Sequence, residues 1–363
     1  MLKSPILIGF IAILSVFAVI DLLIPVKAFS VFENRYLAQR PSFDFEAVLE
    51  GDYMKDFESY INDQFVLRNQ WINLKSVSER ILLKKENNDI LFGKHRYLFD
   101  KVFEVPSTTE LHLKYLEEFL VMYAEQPVTS VIVPNSFSVL NHLTPSGAPF
   151  IDQTGLINEW NAQYGLLDVS STLLNHKDES IYFRSDHHWT LFGAYLAYRE
   201  IVESWNLEPV DFETLPVQSV DGFYGTYYNR SKPVFYPSER LYYYEPDILW
   251  YDVFGTLHDS IIDHDAFEIN DKYRAFLHGN IGFSRIVTQQ VDDPQKILII
   301  KDSYANSMVP FFTTHFDQID VIDLRQFSGS IKQLIETESY DQILFLQNFM
   351  QFTQDRTIAR LRY

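Results

Sequence analysis

The chain has no cysteine among its 363 residues. Disulfides, thiolate zinc sites, iron–sulfur clusters, cysteine nucleophiles and a lipidated cysteine are thereby excluded, and any chemistry falls to oxygen and nitrogen side chains. Positive charge is also scarce: 30 Lys and Arg stand against 49 Asp and Glu, a net charge of −19. A nucleic-acid binder needs basic surface to neutralise phosphates, so that class does not fit. The glycines build no Gly-x-x-x-x-Gly-Lys-Ser/Thr phosphate loop, no Gly-x-Gly-x-x-Gly dinucleotide fingerprint and no Gly-x-Ser-x-Gly nucleophile elbow. His-Glu-x-x-His and solenoid-period repeats are missing too. With 47% hydrophobic, 16% aromatic and 22% charged residues, the composition argues against disorder, collagen-like repeats and a multi-span membrane protein. At about 150 residues per domain, the length suits one large domain or two moderate ones.

The longest uncharged apolar run is Pro5 to Ile20, extended past Asp21 by Leu22, Leu23 and Ile24. A bilayer span needs roughly 17–25 apolar residues, a length reached here with Asp21 near the outer interface and Lys3 on the cytoplasmic side. The expectation is a retained single-pass anchor that places everything after about Val26 outside the cytoplasm. The rival is a cleaved signal peptide, for which Val26-Lys27-Ala28 imitates a small-residue cleavage site.

Beyond it, apolar residues recur at three- and four-residue spacing from Phe43 to Lys85, predicting helices. A helix over about Thr109–Ala124 leads into the strand-like Val128–Val133. The pattern recurs with Gly165–Val169 as a strand, Thr190–Trp205 as a helix, and Lys296–Ile300, Ile319–Ile322 and Gln342–Leu346 as strands. Near-continuous apolar runs separated by helices predict an α/β fold on a mostly parallel sheet. Phe223–Tyr251, rich in tyrosine and carrying Pro233, Pro237 and Pro246, reads as an insertion whose aromatic rings either face sugars or pack beneath the loops.

Two segments can carry chemistry. In Ser185-Asp-His-His-Trp-Thr190, an Asp two residues before a His can orient the imidazole through Nδ1 and leave Nε2 as a base. Ser185 and Asp186 would equally serve as caps of the following helix. In Lys296–Asn306, a buried strand ends at Lys301-Asp302-Ser303-Tyr304. A serine at the carboxyl end of a parallel strand sits where open α/β sheets bind ligands, although Asp302 and Ser303 also suit a capping role. Together Ser303, His188 and Asp186 make a nucleophile, base and orienter set.

Asp186-His-His-Trp189 and Lys301-Asp-Ser-Tyr304 resemble the DHHW protein family of bacterial cell-envelope proteins. So do Glu33-Asn-Arg35, Asp63–Arg68, Phe223-Tyr-Gly-Thr226, Leu277-His-Gly-Asn280 and Asp323-Leu-Arg325. That family is in turn similar to the periplasmic alginate O-acetyltransferases, which carry an SGNH-hydrolase-like domain with an Asp-x-His motif before the nucleophilic serine. The resemblance implies an anchor over residues 1–27, a helical extension over 28–105 packed on the main domain, and an SGNH-like domain over 106–363 with an insertion at about 206–285. It implies Ser303 as nucleophile, His188 as base and Asp186 as orienter, with Lys301 in the position where the usual block has glycine. Oxyanion or substrate-binding roles fall to the Ser303 N–H, Asn280, Arg325, Tyr304, Trp189 and His187, with packing, pairing or loop support as the plainer roles for each. The implied activity is O-acyl transfer, most simply of acetyl, or ester hydrolysis on an envelope or secreted polysaccharide. No metal or cofactor is implied, and a multi-span membrane acyltransferase is the implied source of the acyl group. The alternative is an anchored glycan-binding or assembly protein with a vestigial triad.

Overall fold

The computed structural model describes residues 4–30, 32, 35–148, 150–288 and 294–363. The chain divides into two units, Met1–Asn87 with Asn229–Phe235, and Asn88–Tyr228 with Tyr236–Tyr363.

In the first unit, the apolar N-terminal run forms α1 (Pro5–Leu23), and the periodic stretch after it breaks into α2 (Phe45–Glu50), α3 (Asp52–Gln64) and α4 (Arg68–Ile81). Gly51, with φ of 87°, supplies the left-handed residue that ends α2 and starts α3. Among the described residues no helix is long and apolar enough to cross a membrane. The side chain of Leu22 lies outside those residues, and the anchor expected from the sequence is not established by the structure. Asp63 takes a two-pronged bond from Arg35, at 2.9 and 2.5 Å, and Arg68 approaches at 3.4 Å. The Arg35 hydrogen bonds hold the Asp63 carboxyl below its ordinary range. Two segments quoted for the family resemblance thus meet; Glu33 and Asn34 lie outside the described residues.

The second unit is built on seven strands: β1 (Val128–Val133), β2 (Trp250–Val253), β3 (Thr256–His258), β4 (Phe283–Val287), β5 (Lys296–Lys301), β6 (Gln318–Asp323) and β7 (Gln342–Asn348). Their order is β3-β2-β4-β6-β5-β7-β1. The β6-β5-β7-β1 part is parallel, as the apolar runs predict, whereas β4, β2 and β3 from the insertion extend the sheet antiparallel. β5 is flanked by β6 on one side and β7 on the other, so the chain reverses its direction across the sheet there. Such switch points open a crevice at the carboxyl ends of the strands.

Alternation along the strands feeds two cores. Val131, Val133, Ile297, Ile299, Val321, Leu344 and Leu346 point to one face, against α5 (Leu191–Ser204) and its Ala194, Tyr198 and Ile201. Ile132, Leu298, Ile300, Ile322, Ile343 and Phe345 point to the other, against Leu116 and Phe119 of the Thr109–Met122 helix and Ile331 and Ile335 of the Ile331–Glu338 helix. Each fully buried Ile or Leu in these layers contributes about 1.5–3 kcal/mol, which holds the strand ends in register.

One expectation needs correction. Gly165–Val169 is not a strand: Leu166 and Val169 are buried, and the Leu167 N–H bonds Ser130 O at 2.9 Å, but no ladder follows. Burial alone produced its apolar pattern. In the insertion, where both roles stood open, Phe223, Tyr227, Tyr243, Tyr244 and Tyr251 are buried and pack the core, whereas Tyr242 is exposed.

Candidate active site

β5 ends at Lys301 and turns directly into a 3-10 turn over Ser303–Ser307. Asp302 organises that turn. Its Oδ1 accepts the Tyr304 N–H at 2.8 Å, and its Oδ2 accepts the backbone and side-chain N–H of Asn348 at 2.7 and 2.6 Å. Asp302 therefore caps the turn and ties β5 to β7; its burial pushes the carboxyl up against the pull of these bonds. Ser303, half-buried, stands at the tip of the central strand.

The Tyr182–Thr190 segment folds back on itself before α5, with a bridge between Tyr182 and Trp189 and a bond from the Phe183 N–H to His188 O at 3.2 Å. Thr190, not Ser185 or Asp186, caps the helix, accepting the Gly193 N–H at 3.2 Å. That frees Asp186 for His188. Asp186 Oδ1 accepts His188 Nδ1–H at 2.5 Å and the His188 N–H at 2.9 Å, while Oδ2 accepts the Thr226 N–H at 2.6 Å. With Nδ1 thus protonated, Nε2 is left to accept, and it lies 2.8 Å from Ser303 Oγ. Burial opposes the charge on Asp186, but His187, His188 and the donated hydrogen bonds outweigh it and hold the carboxyl well below the usual carboxylate range. The Tyr273 ring lies flat on the His188 imidazole, with centroids 3.7 Å apart and 9° between planes, and its hydroxyl donates to Ser303 O at 3.1 Å. The imidazole is therefore restrained by its bonds at both nitrogens and by a stacked ring.

The other predicted residues divide. His187 Nδ1 pairs with Thr226 Oγ1 at 2.7 Å, and burial, with His188 beside it, pushes its pKa down to about 4. It supports the loop. Trp189 and Tyr304 are fully buried, so neither lines a substrate surface: Trp189 Nε1 donates to Tyr304 O at 2.8 Å, and the Tyr304 hydroxyl bonds His187 O and accepts from Asn135 Nδ2. Arg325 grips Asp323 through Nε at 2.8 Å and Nη2 at 2.5 Å, the pairing named as its plainer role. Asn280 is exposed and follows three left-handed residues, Leu277, His278 and Gly279, at φ of 53°, 53° and 96°. Non-glycine residues there cost about 1–2 kcal/mol each, and such strain gathers at functional sites. The Asn280 carbonyl oxygen accepts from Asn306 Nδ2 at 3.2 Å, in the turn that Ser303 begins, so its amide nitrogen is a donor held beside that turn.

Lys301 lies beneath the site, fully buried, with Nζ 3.6 Å from Asp323 and no hydrogen bond. Burial pushes its pKa down to about 8. An unfolded lysine holds its proton to about 10.4, so between these values the unfolded state binds more protons and stability rises with pH. In Lys301→Met, whose Asp323 keeps Arg325, melting temperature is expected to rise less between pH 8 and 10 than in the parent chain. Equal slopes in thermal melts would contradict this burial argument.

Several site residues escaped the sequence reading. Tyr273, Thr226, Asn135 and Asn348 act through backbone or neighbouring side chains; for Asn135 and Asn348 the available signal was a polar residue just past, or at the end of, a parallel strand. Gly225 matters through what it lacks, since a Cβ there would fall 2.2 Å from Asp186 Cβ and 2.5 Å from Oδ2. Gly225→Ala is expected to force the two segments apart, losing about 1–3 kcal/mol of stability and about 10²-fold in turnover. Thermal melting and ester kinetics read both effects. Asp186, His187 and His188 also form the one group among the described residues with ligand atoms close enough for a metal ion, within 4.8 Å, but an ion there would displace the hydrogen bonds that align the imidazole.

A mixed α/β fold with a Ser–His–Asp chain at the end of its central parallel strand sets the class of protein. The DHHW protein family model matches residues 156–322, so the resemblance read from the motifs is shown for this segment, which holds Asp186–Trp189, Phe223–Thr226, Leu277–Asn280 and Lys301–Tyr304. Glu33–Arg35, Asp63–Arg68 and Asp323–Arg325 fall outside it. No curated protein matches the chain in sequence. A DHHW family protein from Eubacterium siraeum DSM 15702 superposes with a TM-score of 0.64 at 22% identity, covering 76% of this chain and 95% of that one. PatB1 of Bacillus cereus superposes with a TM-score of 0.62 at 18% identity, covering 74% and 98%. The fold is shared with both.

Proposed function

We propose that the protein is a membrane-anchored, extracytoplasmic O-acyltransferase or esterase acting on hydroxyls of a cell-envelope or secreted polysaccharide. The observation that carries this reading is the single hydrogen-bonded line from Ser303 Oγ through His188 to Asp186. In the first half-reaction His188 Nε2 takes the Ser303 hydroxyl proton as Oγ attacks the acyl carbonyl, and returns that proton to the leaving alkoxide. In the second, a sugar hydroxyl or water gives its proton to His188 and takes the acyl group, regenerating Ser303. The Ser303 N–H and Asn280 are the donors for the oxyanion.

The anchor rests on the apolar sequence run from Pro5 to Ile24, and described apolar side chains of α1, among them Ile6, Phe10, Ile13 and Val19, are exposed. Acyl groups activated in the cytoplasm would have to cross the membrane to reach such a site, which is the chemistry of a multi-span acyltransferase partner.

Intact-mass measurement after incubation with an activated acetyl ester tests the reaction, with Ser303→Ala alongside. An acetyl adduct mapped to Ser303, or acetate release that the alanine variant lacks, supports the proposal. Folded wild-type protein showing neither would leave the glycan-binding reading in its place.

A further inference from the structure

The segment carrying Asp186 and His188 is held from behind by a carboxylate that takes no part in the proton relay. Glu239 begins a short strand, Glu239–Tyr243, that pairs antiparallel with Gln218–Phe223, bringing Glu239 opposite Phe223. Glu239 Oε1 accepts the Arg184 N–H at 2.8 Å. Oε2 accepts the Ser185 N–H at 2.8 Å and also the Ser185 hydroxyl. The Ser185 oxygen in turn accepts the Gly225 N–H at 3.1 Å, next to the Thr226 N–H that holds Asp186. One carboxylate therefore fixes both the residue before Asp186 and the segment that supplies Asp186 with its backbone donor. Glu239 lines a cleft of about 610 Å³ with Tyr97, Phe183, Arg184 and Phe192, which neither Ser303 nor His188 reaches. Burial pushes its carboxyl up, against the pull of the donors around it.

We infer that Glu239 is a positioning residue that sets the Asp186–His188 pair through Ser185 and Gly225. The inference rests on the proposed role of that pair. Small misplacements of a reacting group, even from substitutions outside the reacting set, cost up to about 10²-fold in rate.

The test uses the full chain and three variants, Glu239→Ala, Glu239→Gln and Ser185→Ala. It reads kcat and KM on an activated acetyl ester, thermal melting, and the low-field imidazole proton shared by His188 and Asp186 in proton NMR. Glu239→Ala is expected to lower kcat by up to about 10²-fold with KM little changed and to lose the low-field signal. Glu239→Gln, which keeps one accepting oxygen, should recover much of both. Ser185→Ala removes only a hydroxyl and should move both readouts in the same direction by about tenfold or less. A folded Glu239→Ala protein with parental kcat and an unchanged signal overturns the inference. Should that variant not fold, a folded Ser185→Ala protein with parental kcat and signal overturns it instead. Should the parent chain show no turnover, the proposed function fails, and the low-field signal alone decides whether Glu239 positions His188.

Discussion

Ser303→Ala is expected to lower ester turnover by about 10⁶-fold, to the level left by binding and oxyanion donors, with melting temperature close to that of the parent chain. The size follows from how such sets behave, since removing the nucleophile costs about as much as removing the whole set. The small stability change follows from geometry. The turn is capped by Asp302 and not by Ser303, whose Oγ faces His188 Nε2 at 2.8 Å. A rate within tenfold of the parent would exclude Ser303 as nucleophile.

The second large effect belongs to Asp186→Asn, with an expected loss of about 10⁴-fold in kcat. Asparagine keeps the shape but offers one accepting oxygen; with that oxygen on the Thr226 N–H, its amide NH2 takes the Oδ1 position and donates to His188 Nδ1. The imidazole would then adopt the tautomer with hydrogen on Nε2, which cannot accept the serine proton. Because its surroundings hold the Asp186 carboxyl well below the ordinary range, it stays ionised in mildly acidic solution. Any fall in rate at moderately low pH is therefore expected to come from other groups. A pH–rate profile of kcat with an acid limb that vanishes in Asp186→Asn would contradict this.

Much of the second unit was legible before folding. Lys296–Ile300, Ile319–Ile322 and Gln342–Leu346 read as buried parallel strands, and they are, because a strand covered on both faces has to be apolar throughout. Gly165–Val169 misled for the same reason, since its apolar residues are buried without a ladder partner. The tyrosine-rich insertion stayed open for another reason: its rings suit a sugar surface or a core equally well, and Tyr227, Tyr243, Tyr244 and Tyr251 went into the core while Tyr242 stayed exposed.

The spacing of Asp186 and His188 is a property of the chain, because two residues apart an aspartate can reach Nδ1 of the imidazole with no help from elsewhere. The apolar run that ends at Ser303 is local in the same sense. Folding brought His188 to Ser303 across 115 residues, laid Tyr273 on the imidazole, and set Glu239 and Thr226 behind Asp186. It also buried Trp189 and Tyr304, residues whose sequence setting fitted a binding role equally well. Local pattern reports whether a residue is buried and how its immediate neighbours are spaced. A hydrogen-bond partner from another element is chosen by strand order and register, which arise only when the whole sheet assembles.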